Sequence, residues 1–193
     1  MLGRIVTLTA LAVGGALLAK QMKKSGAAGS DSSVKESIDV NVPLRAAYDQ
    51  FTQFEEFPLF MDSVHEIKQL DDKRLHWKAD VAGKPIEWDA EITEQIPDRK
   101  IAWRSTSGTT NEGAVTFKQV SDGVTRVTLQ MRYEPQGAIE MVGDMLGAIR
   151  TEAKSNLKKF KEMIEARGGQ ETGAWRGTIT GDTSGEHGAG TQH

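Results

Sequence analysis

The sequence of 193 residues contains no cysteine, which excludes disulfides, thiol nucleophiles and cysteine metal sites. It also lacks an excess of basic residues. The formal net charge is −3, so the chain has no overall positive field to attract nucleic acid. The four histidines show no metal-ligand spacing, and nucleophile-elbow, phosphate-loop and dinucleotide-binding motifs are missing. The sequence therefore predicts neither a metal site nor another cofactor.

Long hydrophobic runs are missing except near the start, where Ile5 to Ala19 are apolar, with Arg4 before them and three lysines shortly after. A helix over this run spans about 22 Å, less than the roughly 30 Å hydrocarbon core of a bilayer. Lysines after the run favour a retained anchor with its lysine side in the cytoplasm. A cleaved signal and a packed helix stay open. We expect residues 1–24 to attach a cytoplasmic domain to a membrane, with export after signal cleavage as the alternative.

The segments that flank the central region have compositions typical of loops. Residues 25–33 are small and polar and predict a flexible linker. Residues 168–193 are rich in glycine and bury too little apolar surface to offset the entropy of ordering, which predicts a disordered tail. Trp175 is the one large ring of that tail, and it is either a stray residue or a docking motif. The folded domain is expected over 34–167.

Apolar and polar residues alternate through most of this domain. The alternation predicts strands over 34–42, 64–70, 74–81, 86–95, 100–105, 113–120 and 124–134. Two short helices are predicted after the first strand, one beginning at Pro43 and one in FEEFPLFMDSV (54–64), stopped near Pro58. Residues 139–166 predict a long helix with one apolar stripe. An antiparallel meander followed by one long helix is an α+β layout, in which a curved sheet wraps around the helix.

Five stretches also carry a family resemblance: VPLRAAYDQFTQFEEFPLFMDSVHEI (42–67), HW (76–77), EWDAEITEQIPDRKIAWRS (87–105), GAVTF (113–117) and VTLQMRYEP (127–135). They resemble the START-like, helix-grip (SRPBCC) superfamily of polyketide cyclase/dehydrase and lipid-transport proteins, and within it the coenzyme Q-binding START-like proteins. The resemblance implies a helix-grip fold of about seven antiparallel strands around a long C-terminal helix. It implies no particular ligand, because the superfamily spans binders, transporters and cyclases.

The predicted inner face of the sheet carries no Asp, Glu, Lys or Arg, and Tyr133 is its only ionisable residue. Acid–base catalysis needs a titratable group at the substrate, so an enzyme is the weaker hypothesis. We expect an apolar site between sheet and long helix, closed at one open end by residues 54–61, with the polar end of its ligand near Tyr133 or that segment. The predicted ligand-binding residues are Phe57, Phe60, Met61, Trp77, Trp88, Trp103, Phe117, Met131, Tyr133, Met141, Met145 and Ile149.

The predicted function is non-catalytic binding or transport of a hydrophobic small molecule, such as a lipid or an isoprenoid quinone. A polyketide aromatase/cyclase or dehydrase is one alternative, and a membrane-associated stress protein with a filled core is another. The cavity distinguishes these three functions. It would be apolar and empty in a carrier, polar-lined in a cyclase and absent in a stress protein with a filled core. Gly143 and Gly147, four residues apart in the long helix, indicate close approach of another element.

Overall fold

The computed structural model describes residues 33–81, 84–108, 111–133, 140–170 and 172–181. Within these residues seven strands form one antiparallel sheet in the order β1-β7-β6-β5-β4-β3-β2. The strands are β1 Ser33–Val40, β2 Val64–Gln69, β3 Arg74–Val81, β4 Lys84–Ile96, β5 Lys100–Ser105, β6 Asn111–Ser121 and β7 Val124–Tyr133. Helix α1 (Leu44–Phe51) and a 3-10 helix (Phe54–Leu59) lie between β1 and β2, and helix α2 (Glu140–Ala166) follows β7.

This arrangement confirms the predicted α+β, helix-grip fold. β1 pairs with β7 along its whole length, from Ser33 opposite Arg132 to Val40 opposite Thr125. The other strands follow one another as a meander. Helix α2 buries its apolar stripe against the core through Ala153, Leu157, Phe160 and Ile164. Burial of these side chains supplies most of the stabilisation of such an amphipathic helix, because intrinsic helix propensity contributes little.

The segment that joins α1 to β2 forms a side wall of the domain. We call residues 54–63 the wall segment. Its 3-10 helix tolerates Pro58, and its three phenylalanines are buried. On one side it lies along β2, where the backbone N–H of Gln69 donates a hydrogen bond to the carboxylate of Glu55.

Polar contacts fix the other side of the wall segment to α2 and to the residue just after it. Arg167 Nη1 lies 2.7 Å from Oε2 of Glu56, Lys159 pairs with Asp62, and the Ser63 hydroxyl donates to Glu152. The segment therefore fills the gap between edge strand β2 and α2. From the sequence we expected this segment to cover an open end of the sheet. The structure places it at the side instead, because its position depends on tertiary contacts that the predicted strand ends do not reveal.

Part of the C-terminal glycine-rich region packs on the domain. We call residues 172–181 the C-terminal segment. Backbone hydrogen bonds join Ile179 and Gln95 in both directions, at 2.8 and 2.9 Å, and Ile179 is only 6% exposed. Trp175 is 42% exposed, and its ring covers Gly177. This packing differs from the disorder expected for 168–193, because β4 supplies backbone partners that composition cannot reveal.

Several predictions concern residues outside the described ranges. They include the anchor over 1–24, the linker up to residue 32 and the tail over 182–193, and these remain predictions. None of the helices in the described part of the chain has the length and apolar character of a membrane span.

Candidate functional site: a cavity between sheet and helix

A cavity of about 430 Å³ lies between the inner face of the sheet and α2. Small-molecule sites usually have volumes of roughly 300–1,000 Å³, so a compact ligand fits. The sheet supplies one wall, the wall segment supplies another through Phe54, Phe57 and Met61, and α2 supplies the third. On α2 the lining positions recur every three or four residues, which places them on one helix face: Leu146, Ile149, Ala153 and Asn156.

Three tryptophans on adjacent strands form the sheet side of this cavity. Trp77 and Trp88 are direct partners in the β3–β4 register, and their rings stack at 5.4 Å with 15° between the planes. Phe57 of the wall segment meets Trp77 edge-on, with the ring centroids 5.9 Å apart. The strand pairing therefore creates a continuous aromatic surface, which suits an apolar ligand.

Trp103 on β5 owes its position to a glycine. Its register partner on β6 is Gly113. A Cβ added to Gly113 would lie 2.9 Å from Cε2 of Trp103 and even closer to Cζ2. The indole therefore lies over the glycine and against the sheet, and this leaves the space in front of it open.

The structure separates the predicted ligand-binding residues into three groups. Those that line the cavity are Phe57, Met61, Trp77, Trp88, Trp103, Met131 and Ile149. Phe60 and Phe117 lie in the filled core near α1, where Phe60 packs on Phe160 at 5.3 Å and Phe117 on Tyr48 at 5.5 Å. Helix α1 fills that end of the sheet–helix gap, and the cavity lies toward the other end. The side chains of Tyr133, Met141 and Met145 lie outside the described residues.

Charged residues border the cavity where it reaches the surface. We call Lys84, Glu112, Arg132 and Glu152 the cavity mouth, since all four are exposed and line the cavity. Arg132 Nη1 donates to Glu112 at 2.8 Å, and Glu152 accepts the hydrogen bond from Ser63. Apart from these four residues and from Ser63, Asn111 and Asn156, the described lining is apolar.

Two charged residues outside the predicted inner set also lie on the inner face of the sheet. β4 begins at Lys84, two residues before the predicted start, and Lys84 shares the strand face of Ile86 and Trp88. Glu36 lies on the inner face of β1, where Arg150 and Lys154 of α2 approach its carboxylate at 3.5 and 3.9 Å. Extending the period of two from Ile86 back to Lys84 would have found the lysine.

The interpretation of the helix glycines also needs correction. A Cβ added to Gly147 would meet nothing within 4 Å, and Gly147 is exposed. Among the described residues no element approaches it closely, and this glycine does not line the cavity. Gly143 lies outside the residues whose packing the structure describes.

Other features of the surface are weaker candidates for a site. A wider depression of about 690 Å³ lies at the β2–β3 turn, but it is open to solvent and lined mainly by charged residues. There the backbone N–H groups of Lys73 and Arg74 lower the pKa of Asp71 to about 2, so that its charge is already satisfied by its own turn. Within the described residues no three His, Asp or Glu side chains are placed to hold a metal ion.

Comparisons with known proteins agree with this fold. The model of the polyketide cyclase/dehydrase and lipid transport family matches residues 40–162. An uncharacterised 17.2 kDa protein of Streptomyces lincolnensis is 49% identical over 149 residues, which cover 77% of this chain and 99% of the relative.

Two solved structures show the same fold at low sequence identity. The Zhui aromatase/cyclase of a Streptomyces species has a TM-score of 0.63 and 14% identity, covering 74% of this chain and 98% of that one. A START superfamily protein of Mycobacterium smegmatis has a TM-score of 0.60 and 12% identity, covering 68% of this chain and 98% of that one. With its sheet, its long helix and the match of the family model over most of the domain, this chain belongs to the polyketide cyclase/dehydrase and lipid transport family.

Proposed function

We propose that the domain binds a hydrophobic small molecule, of lipid or isoprenoid quinone type, in the cavity between the sheet and α2. The observation that carries this proposal is an apolar cavity lined by three tryptophans. Transfer of each buried methylene group from water to such a site gains about 0.8 kcal/mol.

Sequestration explains the lining better than catalysis does. A general acid or base must lie within hydrogen-bond reach of the reacting atoms. Among the described lining residues, the titratable side chains all belong to the cavity mouth. A ligand inside the cavity would therefore contact uncharged side chains, most of them rings and aliphatic groups.

Filling the cavity tests the proposal. Ile149 lines it, whereas the neighbouring Ala148 is exposed on α2. Ile149→Trp and Ala148→Trp therefore place the same ring on two different faces of the helix, about 100° apart. We expect the wild type and Ala148→Trp to bind the neutral fluorophore N-phenylnaphthylamine saturably, and Ile149→Trp to bind it at least about tenfold more weakly. Mass spectrometry of an organic extract of the purified protein would identify a retained ligand.

If the wild type shows no saturable binding of the fluorophore or of a quinone, or if Ile149→Trp binds as well as Ala148→Trp does, the cavity is not a binding site. Thermal melting of both variants checks that each is folded under the conditions of the assay.

Polyketide cyclisation or dehydration is the second candidate function. It is favoured by the charged mouth, where Lys84 and Glu152 could meet a polar part of a substrate, and by the aromatase/cyclase that shares this fold. Incubation with a synthetic poly-β-ketone thioester, followed by mass spectrometry, tests it. An enzyme would be favoured over a carrier if cyclised product forms faster with the protein than without it and if Glu152→Gln abolishes this difference.

A further inference from the structure

We infer that the ligand of this cavity is an apolar molecule ending in an anionic group, such as a carboxylate, and that Lys84 is its counter-charge. This inference rests on the proposed binding function and specifies the chemistry of the ligand. Lys84 is the first residue of β4 and lies on the same strand face as Ile86 and Trp88. Its side chain therefore begins at the edge of the apolar surface and ends at the mouth.

The other charged groups of the mouth already have partners. Arg132 and Glu112 form an ion pair at 2.8 Å, and both belong to the outward faces of β7 and β6. The carboxylate of Glu152 accepts the hydroxyl of Ser63. Among the described residues no partner is found for the ammonium of Lys84, so a ligand anion can approach it without breaking an existing contact.

A lysine at the cavity mouth is placed to bind the charged end of an amphiphile. An amphiphile enters an apolar cavity with its chain first, because the chain gains free energy on leaving water whereas a charged group loses it. Its charged end then stops at the mouth, where it stays partly hydrated. A cation at that place gains a charge-assisted hydrogen bond, and its long aliphatic stem continues the apolar wall.

Head groups of different charge on one chain test this inference. Dodecanoate, dodecanol and dodecyltrimethylammonium compete with N-phenylnaphthylamine for the full-length protein at low salt. A partly exposed ion pair contributes up to about 1 kcal/mol, so we expect dodecanoate to bind roughly fivefold more tightly than dodecanol. The advantage should shrink as the salt concentration rises, because salt screens exposed charges.

Variants assign the effect to Lys84. In Lys84→Gln we expect the preference for dodecanoate over dodecanol to disappear, because the anion loses more affinity than the alcohol does. Lys118→Gln is the matched control, since Lys118 is an exposed lysine on β6 that does not line the cavity. It changes the net charge of the protein equally and should keep the preference, and Lys84→Arg should keep it as well.

Each failure has its own signature. Equal binding of the anion and the alcohol by the wild type overturns the inference, and so does tighter binding of the cationic amphiphile, which would point to Glu152 instead. A preference that survives in Lys84→Gln overturns the role of the lysine. If neither the fluorophore nor any of the three amphiphiles binds, the proposed function fails, and this inference fails with it.

Discussion

At the scale of single residues, the pair Gly113 and Trp103 controls the width of the cavity. The indole occupies the place that any larger side chain at position 113 would need. A β-strand interior usually disfavours glycine, which has no side chain to pack. Here the missing side chain lets a large ring lie flat on the sheet and leaves open the volume in front of it.

We predict that Gly113→Ala narrows the site without unfolding the domain. The new methyl group would push the Trp103 ring off the sheet and into the cavity. Overpacking usually costs about 1–3 kcal/mol, but this ring has space to move into, so we expect the free energy of unfolding to fall by about 1 kcal/mol at most. Binding of long-chain alcohols should weaken more than that of short ones, measured by fluorophore displacement.

Gly147→Ala is the control for this prediction. It adds the same methyl group where nothing lies within 4 Å. It should leave binding unchanged and should stabilise α2 by up to about 1 kcal/mol, since alanine favours a helix more than glycine does. Equal chain-length profiles for Gly113→Ala and the wild type would show that Trp103 does not limit the cavity.

At the scale of elements, a buried charge joins the C-terminal segment to α1. The Asp49 side chain is only 2% exposed, and Nη2 of Arg176 lies 2.6 Å from its Oδ1. Arg176 also donates to both carboxylate oxygens of Asp98, at 3.2 Å each. Burial raises the pKa of Asp49, and the Arg176 charge opposes that rise. The segment thus carries the cation that makes a buried carboxylate tolerable.

We predict that Arg176→Met destabilises the domain in a pH-dependent way. Because the pKa of Asp49 is raised in the folded state, its contribution to stability is greatest below the ordinary Asp pKa and falls as the pH rises through the folded value. Loss of Arg176 raises that pKa further. We expect a loss of about 2–3 kcal/mol at about pH 7, allowing for the partial exposure of Arg176 and for Arg45 nearby, and a much smaller loss at about pH 4.

Urea denaturation at both pH values measures this difference. Adding Asp49→Asn to Arg176→Met removes the uncompensated charge and should restore part of the stability at neutral pH. A loss of the same size at both pH values would mean that Arg176 acts by packing alone, for example through its position 5.7 Å from the centre of the Tyr48 ring.

At the scale of the whole molecule, we propose that the domain is held at a membrane by residues 1–24. The apolar run and the lysines after it motivate this proposal. Fractionation of cells that express the full chain or a chain without residues 1–24 provides the test. We expect the full chain in the membrane fraction and the shortened chain in the supernatant, and the anchor proposal fails if both remain in the supernatant.

The sequence by itself determined the elements of the domain and their order. The period of two in Arg74–Val81 and in Lys100–Ser105 predicted both strands with the bounds that the structure has. The apolar stripe of α2 predicted a helix over 139–166, one residue longer than the helix in the structure. Such patterns can be recognised in a sequence because the spacing of nearby residues decides which face of a helix or strand is apolar. They also indicated most of the aromatic lining of the cavity.

Only the tertiary structure decided which part of the inner face stays open. Phe117 and Trp103 have equivalent positions in their strand patterns, yet α1 packs on Phe117 while Trp103 faces the cavity. The bonds between Ile179 and Gln95 join residues 84 positions apart, and the contact of Asp49 with Arg176 spans 127. No local period encodes such contacts, because they arise when the chain folds back on itself and distant residues meet.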